Sequence, residues 1–421
     1  MSSVTIPASE PWTSAGLVAE VLSGAGHEAY FVGGCVRDLL LGRAVKDVDV
    51  ASAAHPEQVE AACAAAGLKT IAVGKSFGVI VVVAPSGLNV EVATFRCDGQ
   101  YIDGRRPTEV RYSTAREDVE RRDFTINALL LDPRGGAVVD HVGGLADLEA
   151  RRLRAVGDAA ARLREDRLRV LRGIRFAAHL GLAIDDATWG AITSTPLTGL
   201  SAERLMQEWD KGLAARPDAW LELLARGGRL GDFCPPLEHV EAAALMRARA
   251  ALARCDRTDH FDVRAVHCLA PAQRSTVLTW LDAQPLPTLC RRRITWLLDW
   301  AGDAEAPERL AALPVAERFR TFRSGYPFEL IRVLRTGQPE HPRLPAIEDW
   351  TSDVRCGPLW KPTLRAGDLL KLGASPGPAL GRILAACEDA ELTDPHFGYD
   401  ALLALAKSQL ANMPPDSPRR V

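Results

Sequence analysis

Two acids stand two residues apart in Lys46-Asp47-Val48-Asp49-Val50. On a strand, Asp47 and Asp49 would project from one face, because side chains alternate along it. Adjacent carboxylates repel unless a cation lies between them, and Mg2+ carrying a triphosphate meets that need. A third acid, Glu91, stands in Asn89-Val90-Glu91-Val92-Ala93-Thr94-Phe95-Arg96, facing away from Val90, Val92 and Thr94. With it the set suits two-metal chemistry, in which one ion activates an attacking hydroxyl and the other neutralises leaving pyrophosphate. Upstream, Gly33-Gly34-Cys35-Val36-Arg37-Asp38 reads as a glycine turn opening a helix. The amides of Gly33 and Gly34, the helix N-terminus and the Arg37 guanidinium all suit phosphate oxygens. Asp-x-Asp alone is common on surface strands, and Gly-Gly is a common tight turn. Their order within seventeen residues is what points to phosphoryl transfer.

The elements that must position these groups form a mixed α/β unit over residues 28–140. Strands are expected at Glu28–Val32, Val48–Val50, Ile71–Val73, Val79–Ala84 and Val90–Arg96, with helices at Cys35–Leu41 and Pro56–Ala66. Cys97 to Arg111 reads as a long polar loop. From about Leu145 the strand signals give way to long helical patterns broken by Pro and Gly. Strands first and helices afterwards predict an α+β chain, a small head on an all-helical remainder. Pro339 to Pro345 is expected to link a last helical unit, and Pro414 to Val421 to fray.

The glycine turn and the two aspartates resemble the head signature of the class II tRNA nucleotidyltransferases and bacterial poly(A) polymerases, within the polymerase-beta-like nucleotidyltransferase superfamily. Four further segments continue the resemblance in order. Arg121-Arg122-Asp123-Phe124-Thr125-Ile126-Asn127-Ala128 is similar to the ribose- and phosphate-contacting motif, which implies nucleotide-binding roles for Arg122, Asp123 and Asn127. Asp140 to Leu148 resembles the hinge between head and neck, Glu165 to Arg172 the nucleotide-selecting helix, and Ser201 to Glu208 the last neck motif. The resemblance is dense over roughly residues 28–210. It implies a head at 1–140, a helical neck at 141–213, a body at 214–340 and a tail at 341–421.

Asp166 and Arg169, three apart on a helix, would share a face. A carboxylate acceptor beside a guanidinium fork can copy a Watson–Crick edge. Cytosine N4 or adenine N6 would donate to Asp166, and the neighbouring ring nitrogen would accept from Arg169. Uracil and guanine would leave both groups unpaired, a costly mismatch. Without the motif around them, the two would read as an exposed salt bridge of little worth. Arg172 and Arg175 continue that face, and the resemblance places their counterparts in the nucleotide pocket. The family's flexible loop, tied to the switch from C to A addition, falls on Asp98, Gly99, Asp103, Gly104, Arg105 and Arg106.

The resemblance therefore implies addition of C and A (CCA) to the 3′ end of tRNA from CTP and ATP, with Mg2+. Poly(A) polymerase and A-only or CC-only addition remain open alternatives, as does, from another class, an inactive RNA-binding protein. Arg365 to Gly373 and Pro376 to Gly381 resemble a tail segment of bacterial tRNA nucleotidyltransferases. The end offers only Pro418-Arg419-Arg420 where poly(A) polymerases carry an extended basic tail, which favours tRNA.

The whole chain is compatible with this. Its 421 residues suffice for several structural units, and 47% hydrophobic with 25% charged residues is ordinary for a globular protein. A net charge of −3 leaves RNA affinity to local basic surface, such as the nine arginines between Arg151 and Arg175. The N-terminus shows no secretory pattern, and the most apolar run, Gly78 to Ala84, is far too short to span a bilayer. Nine cysteines without a Cys-x-x-Cys pair suggest reduced thiols, a cytoplasmic location and no zinc site.

Overall fold

In the computed structural model the described residues are 3–72, 74–75, 78–98, 110–256, 258–357, 360–394 and 396–412. The chain divides into two compact units, residues 1–238 and 239–421.

The first unit opens with helix α1 (Trp12–Gly24), strand β1 (Ala29–Val32), α2 (Gly34–Leu40), β2 (Asp49–Ser52) and α3 (Pro56–Ala65). Next come β3 (Lys69–Ile71), β4 (Val79–Val83), β5 (Asn89–Thr94), the short β6 (Arg96–Asp98) and β7 (Val110–Tyr112), and α4 (Ala115–Glu120). Strands β8 (Leu130–Leu131) and β9 (Val138–Val139) complete a seven-stranded sheet in the order β3-β4-β5-β2-β1-β8-β9. Only β2 and β5 pair in parallel; the other neighbours are antiparallel. The β-branched runs account for this: Val50, Ile80, Val82, Val90 and Val92 are all buried. Trp12 on α1 meets Phe31 edge-on, 5.4 Å between centroids, so α1 covers one face of the sheet. The opposite face carries Val32 and Ala51, which pack with Phe95, Val119 and Leu130. By strand alternation Asp49 and Glu91 belong to this second face.

Helices follow: α5 (Gly144–Glu149), α6 (Ala159–Glu165), α7 (Leu168–Leu180), α8 (Asp186–Ser194), α9 (Ala202–Ala215), α10 (Pro217–Arg226) and α11 (Leu230–Phe233). Between them lie two short strands that the periodicity did not predict, β10 (Arg152–Leu153) and β11 (Ala183–Ile184), paired in parallel. Helix α7 packs on α9 and α10. Trp209 of α9 lies edge-on to Phe233, 6.5 Å between centroids, which keeps α11 with the first unit.

The second unit is helical among the described residues, from α12 (Ala242–Ala253) through α13 (Phe261–Leu269), α14 (Arg274–Asp282), α15 (Thr288–Leu297), α16 (Ala306–Ala312), α17 (Val315–Ser324) and α18 (Pro327–Gly337) to α19 (Leu344–Thr351). It ends with α20 (Ala366–Lys371), α21 (Pro378–Thr393) and α22 (Tyr399–Ala411), which enclose Leu369, Ile383, Cys387 and Leu402. Buried α13 is its centre, packed by α12, α15 and α18. Pro339 to Pro345 forms the turn between α18 and α19, which pack together. Helices α18 and α19 share the ion pair Arg335–Glu348, and Pro345 sits at the start of α19, where its missing N–H costs nothing. Pro414 to Val421 and the loop residues Gly99, Asp103, Gly104, Arg105 and Arg106 lie outside the described residues. None of the described helices is long and apolar enough to cross a membrane. The nine cysteines are free thiols.

Candidate active site

The glycine turn joins β1 to α2. Gly33 adopts φ +79°, ψ −133°, a conformation side chains disfavour, and a Cβ there would meet Arg122 Nη1 at 3.3 Å. The turn thus brings the start of α2 against the arginine that the later motif supplies.

Asp49 is the first residue of β2, and Asp47 lies just before the strand. Val48 and Val50 are buried while both acids are exposed, so the two do share a face. The parallel pairing Val50↔Val92 sets Glu91 of β5 beside Asp49. Although accessible to solvent, the Asp49 carboxyl is pushed up to about 6. Desolvation contributes first, then the charges of Glu91 and Asp47, with Arg122 opposing them. Desolvation thus leads, and the neighbouring negative charges add to it. Among the described residues no three His, Cys, Asp or Glu side chains gather closely enough to cage a metal. Asp49 and Glu91 nonetheless stand side by side on neighbouring strands, and one or two carboxylates with substrate phosphates are what Mg2+ commonly takes.

Beside Asp49 opens a cleft of about 500 Å3 that Gly33, Gly34 and Arg37 also line. Its opposite wall comes from the segment after α4 and from α7. Asp123 is buried; Arg172 Nε and Nη2 donate to its Oδ2 at 2.9 and 2.6 Å, and Phe124 N and Asn127 Nδ2 donate to Oδ1. Burial alone would raise this carboxyl, but Arg172 and these donors hold it below its ordinary range. Asn127 Oδ1 accepts from Arg37 Nη1 at 2.6 Å, while Arg37 Nε and Nη2 grip Asp38. Arg37 thus lines the cleft with most of its donors engaged. Phe176 lies between Arg37, Arg172 and Arg175, whose guanidinium carbons are 5.2, 5.3 and 4.4 Å from its ring centroid.

Asp166 and Arg169 both line the cleft, but not as neighbours on one helix face. Asp166 ends α6 with extended backbone, φ −136° and ψ 103°, and α7 begins two residues later. Its Oδ1 accepts from Leu168 N at 3.1 Å, and Arg204 Nη2 of α9 donates to Oδ1 at 3.0 Å and to Oδ2 at 2.8 Å. Arg169 instead pairs with Glu165 at 2.7 Å and donates to the carbonyls of Arg162 and Arg121. Each arginine and acid of the expected pair has its own counter-ion, which leaves the two arrayed separately along the cleft. Asp47, Glu91 and Arg175 are not part of the cleft lining; Arg175 Nε donates to buried Glu208 at 2.7 Å and ties α7 to α9.

Three contributors escaped the sequence reading. Arg121 and Phe176 line the cleft, and Arg204 braces Asp166. Arg121 had a signal, being adjacent to Arg122 in the motif, whereas Phe176 reads from sequence as an ordinary core aromatic. The hinge segment has a clear structural basis as well. Asp140 accepts from the amides of Val142, Gly143, Gly144 and Leu145 at 2.8–3.1 Å, capping α5.

Residues 29–154 match the Poly A polymerase head domain family. The chain is 35% identical to the CCA-adding enzyme of Streptococcus sanguinis (strain SK36) over 387 residues, 89% of this chain and 91% of that protein. It is 34% identical to the CCA-adding enzyme of Streptococcus gordonii (strain Challis) over 402 residues, covering 91% and 93%. The crystal structure of the Bacillus stearothermophilus CCA-adding enzyme in complex with CTP superposes with a TM-score of 0.78 at 28% identity, covering 96% of this chain and 98% of that one. The likeness runs through head and helices alike, well beyond the cleft, and on it the chain belongs to the class II CCA-adding enzyme family.

Proposed function

We propose that this nucleotidyltransferase adds C and A residues from CTP and ATP to the 3′ end of tRNA, completing CCA without a nucleic-acid template. The observation that carries the reading is a basic cleft with Asp49 of the sheet on one side and separately braced Asp166 and Arg169 on the other. Nucleotidyltransferases of this kind use divalent metal ions; Mg2+ is the ion we assign, held by Asp47 and Asp49 with Glu91 as a further carboxylate. When bound, it supplies charge neutralisation to the attacking 3′-hydroxyl and to the leaving pyrophosphate. The chain's own groups do the rest. Gly33 and Gly34 let the triphosphate approach the backbone, and Arg37, Arg122 and Arg172 provide positive charge along the cleft. Asp123 and Asn127 orient Arg172 and Arg37 beside the nucleotide. Asp166 accepts the exocyclic amine of cytosine or adenine, and Arg169 donates to the neighbouring ring nitrogen.

On this reading the head spans 1–140, the neck 141–213, the body 214–340 and the tail 341–421, with body and tail docking tRNA. We assign the enzyme to the cytoplasm, where free thiols persist. The test offers the purified chain three labelled RNAs with CTP and ATP: tRNA ending before CC, tRNA ending in CC, and oligo(A). Addition that stops after three residues on the first supports the proposal. A lengthening A-tail on every RNA, or addition of A alone to the CC-ended tRNA, overturns it.

A further inference from the structure

Asp118 has no assigned role, yet four arginine donors converge on it. It lies on α4, whose N-terminus is fixed by reciprocal bonds between Thr114 and Glu117. Its carboxylate is buried, 2% exposed. Oδ1 accepts from Arg121 Nη2 at 2.6 Å and Nε at 3.1 Å; Oδ2 accepts from Arg122 Nη2 at 3.0 Å and Nε at 3.3 Å. Positions three and four after Asp118 fall on its side of the helix turn, so one carboxylate reaches both guanidiniums. Each arginine is gripped along its Nε–Nη2 edge, which fixes the plane of the fork. Both line the cleft.

The network continues in two directions. Arg96 N donates to Asp118 Oδ1 at 3.3 Å, and Arg121 Nε donates to the Arg96 carbonyl at 2.8 Å, which ties the pair to β6. On the other side the Arg121 carbonyl accepts from Arg169 Nη2 at 3.2 Å. Asp118 therefore stands behind two cleft arginines and, through Arg121, behind the arginine we assign to base selection. Burial opposes its ionisation, but Arg122 and Arg121 hold its carboxyl below the ordinary range. A buried acid held as an anion by two cleft arginines offers the nucleotide no direct contact, so its influence passes through them.

We propose that Asp118 is a positioning residue for the nucleotide: it sets the planes of Arg121 and Arg122 against the triphosphate and, through the Arg121 carbonyl, the reach of Arg169. This rests on the nucleotide cleft assigned above. The test uses the full chain with CTP, ATP and UTP, and compares wild type, D118N and D118E. With D118N, KM for CTP and for ATP should rise together by roughly tenfold or more, while kcat stays within about threefold, the signature of lost ground-state binding. UTP incorporation should rise as Arg169 relaxes. D118E keeps the charge but displaces it by one methylene, and should show a smaller rise in both KM values. It also serves should D118N fail to fold. Wild-type KM values in folded D118N or D118E would overturn the proposal, as would a fall in kcat alone at unchanged KM. CTP affinity, measured by equilibrium dialysis without tRNA, separates the two readings. Wild type that binds CTP but extends no tRNA sinks the CCA assignment, while weaker CTP binding by D118N would still uphold the role of Asp118.

Discussion

Replacing Asp49 by Asn separates two consequences of its position. As an assigned metal ligand it should be indispensable: D49A, D49N and D47A are each expected to abolish nucleotide transfer with the fold intact, and transfer at the wild-type rate by any of them sinks the mechanism. As a desolvated carboxylate with Glu91 and Asp47 nearby, Asp49 destabilises the metal-free protein. Its folded pKa, about 6, lies above the ordinary 3.8, so the folded state holds the extra proton between those values. Stability therefore falls as pH rises through that window, and the repulsion is fully present at pH 7 and above. In chelator at pH 8, D49N should melt at a higher temperature than wild type, with the gap closing toward pH 4. An unchanged melting temperature would mean that Asp49 is neither desolvated nor repelled by Glu91 and Asp47. On the proposed function Asp166 sets the choice of base, so its loss should act on that choice. D166A should raise UTP and GTP misincorporation more than it raises KM for CTP, which competition between labelled triphosphates measures.

Helix α7 carries Arg169, Arg172 and Phe176 to the cleft, and its seat on α9 is the pair Arg175–Glu208, 2.7 Å apart and buried on both sides. Removing one partner strands the other charge, so E208A should cost about 3 kcal/mol of stability, read by denaturant unfolding. A loss of a few tenths would mean that hydrophobic packing alone seats α7. This pair shows where the sequence could be read and where it could not. The acidic face was readable because a period of two is local: Val48 and Val50 go in, so Asp47 and Asp49 come out. The face expected for Asp166 and Arg169 assumed that the helix running into α7 starts before Asp166, and no Gly or Pro between Ala159 and Leu180 marks a break before Gly173. The break after Glu165 is made from outside, by Arg204 taking the Asp166 carboxylate from 38 residues away and by that carboxylate capping Leu168. The same holds for Arg175, whose partner is 33 residues downstream. Local pattern reveals which groups a strand presents; which acid an arginine meets depends on packing between helices distant in sequence.

At the scale of the whole chain, each compact unit holds a histidine that desolvation pushes down to about 4. In the first, His179 Nε2 faces the Gly212 carbonyl at 3.1 Å; in the second, His267 Nε2 meets Thr336 Oγ1 at 2.6 Å. The Thr336 hydroxyl donates to the Arg332 carbonyl, so the shared hydrogen belongs to His267, which is the Nε2–H tautomer. Desolvation pushes His267 down to about 4, with Asp259 opposing the shift and Arg254 adding to it. Between about 4 and the ordinary 6.5 the unfolded chain binds a proton that the folded unit refuses. The stability that neutral His267 allows is therefore fully present above pH 6.5 and is lost as pH falls toward 4. From pH 7 to pH 5 this amounts to about 2 kcal/mol for one such group. Hydrogen exchange resolves the units separately. Protection of α13 and α18 should weaken over that interval in wild type, and H267Q, whose amide can still donate to Thr336, should flatten the dependence there. Helices α7 and α9, which answer to His179, should keep theirs in H267Q. An unchanged slope across α13 and α18 in H267Q would show that another group sets the acid limit of the second unit.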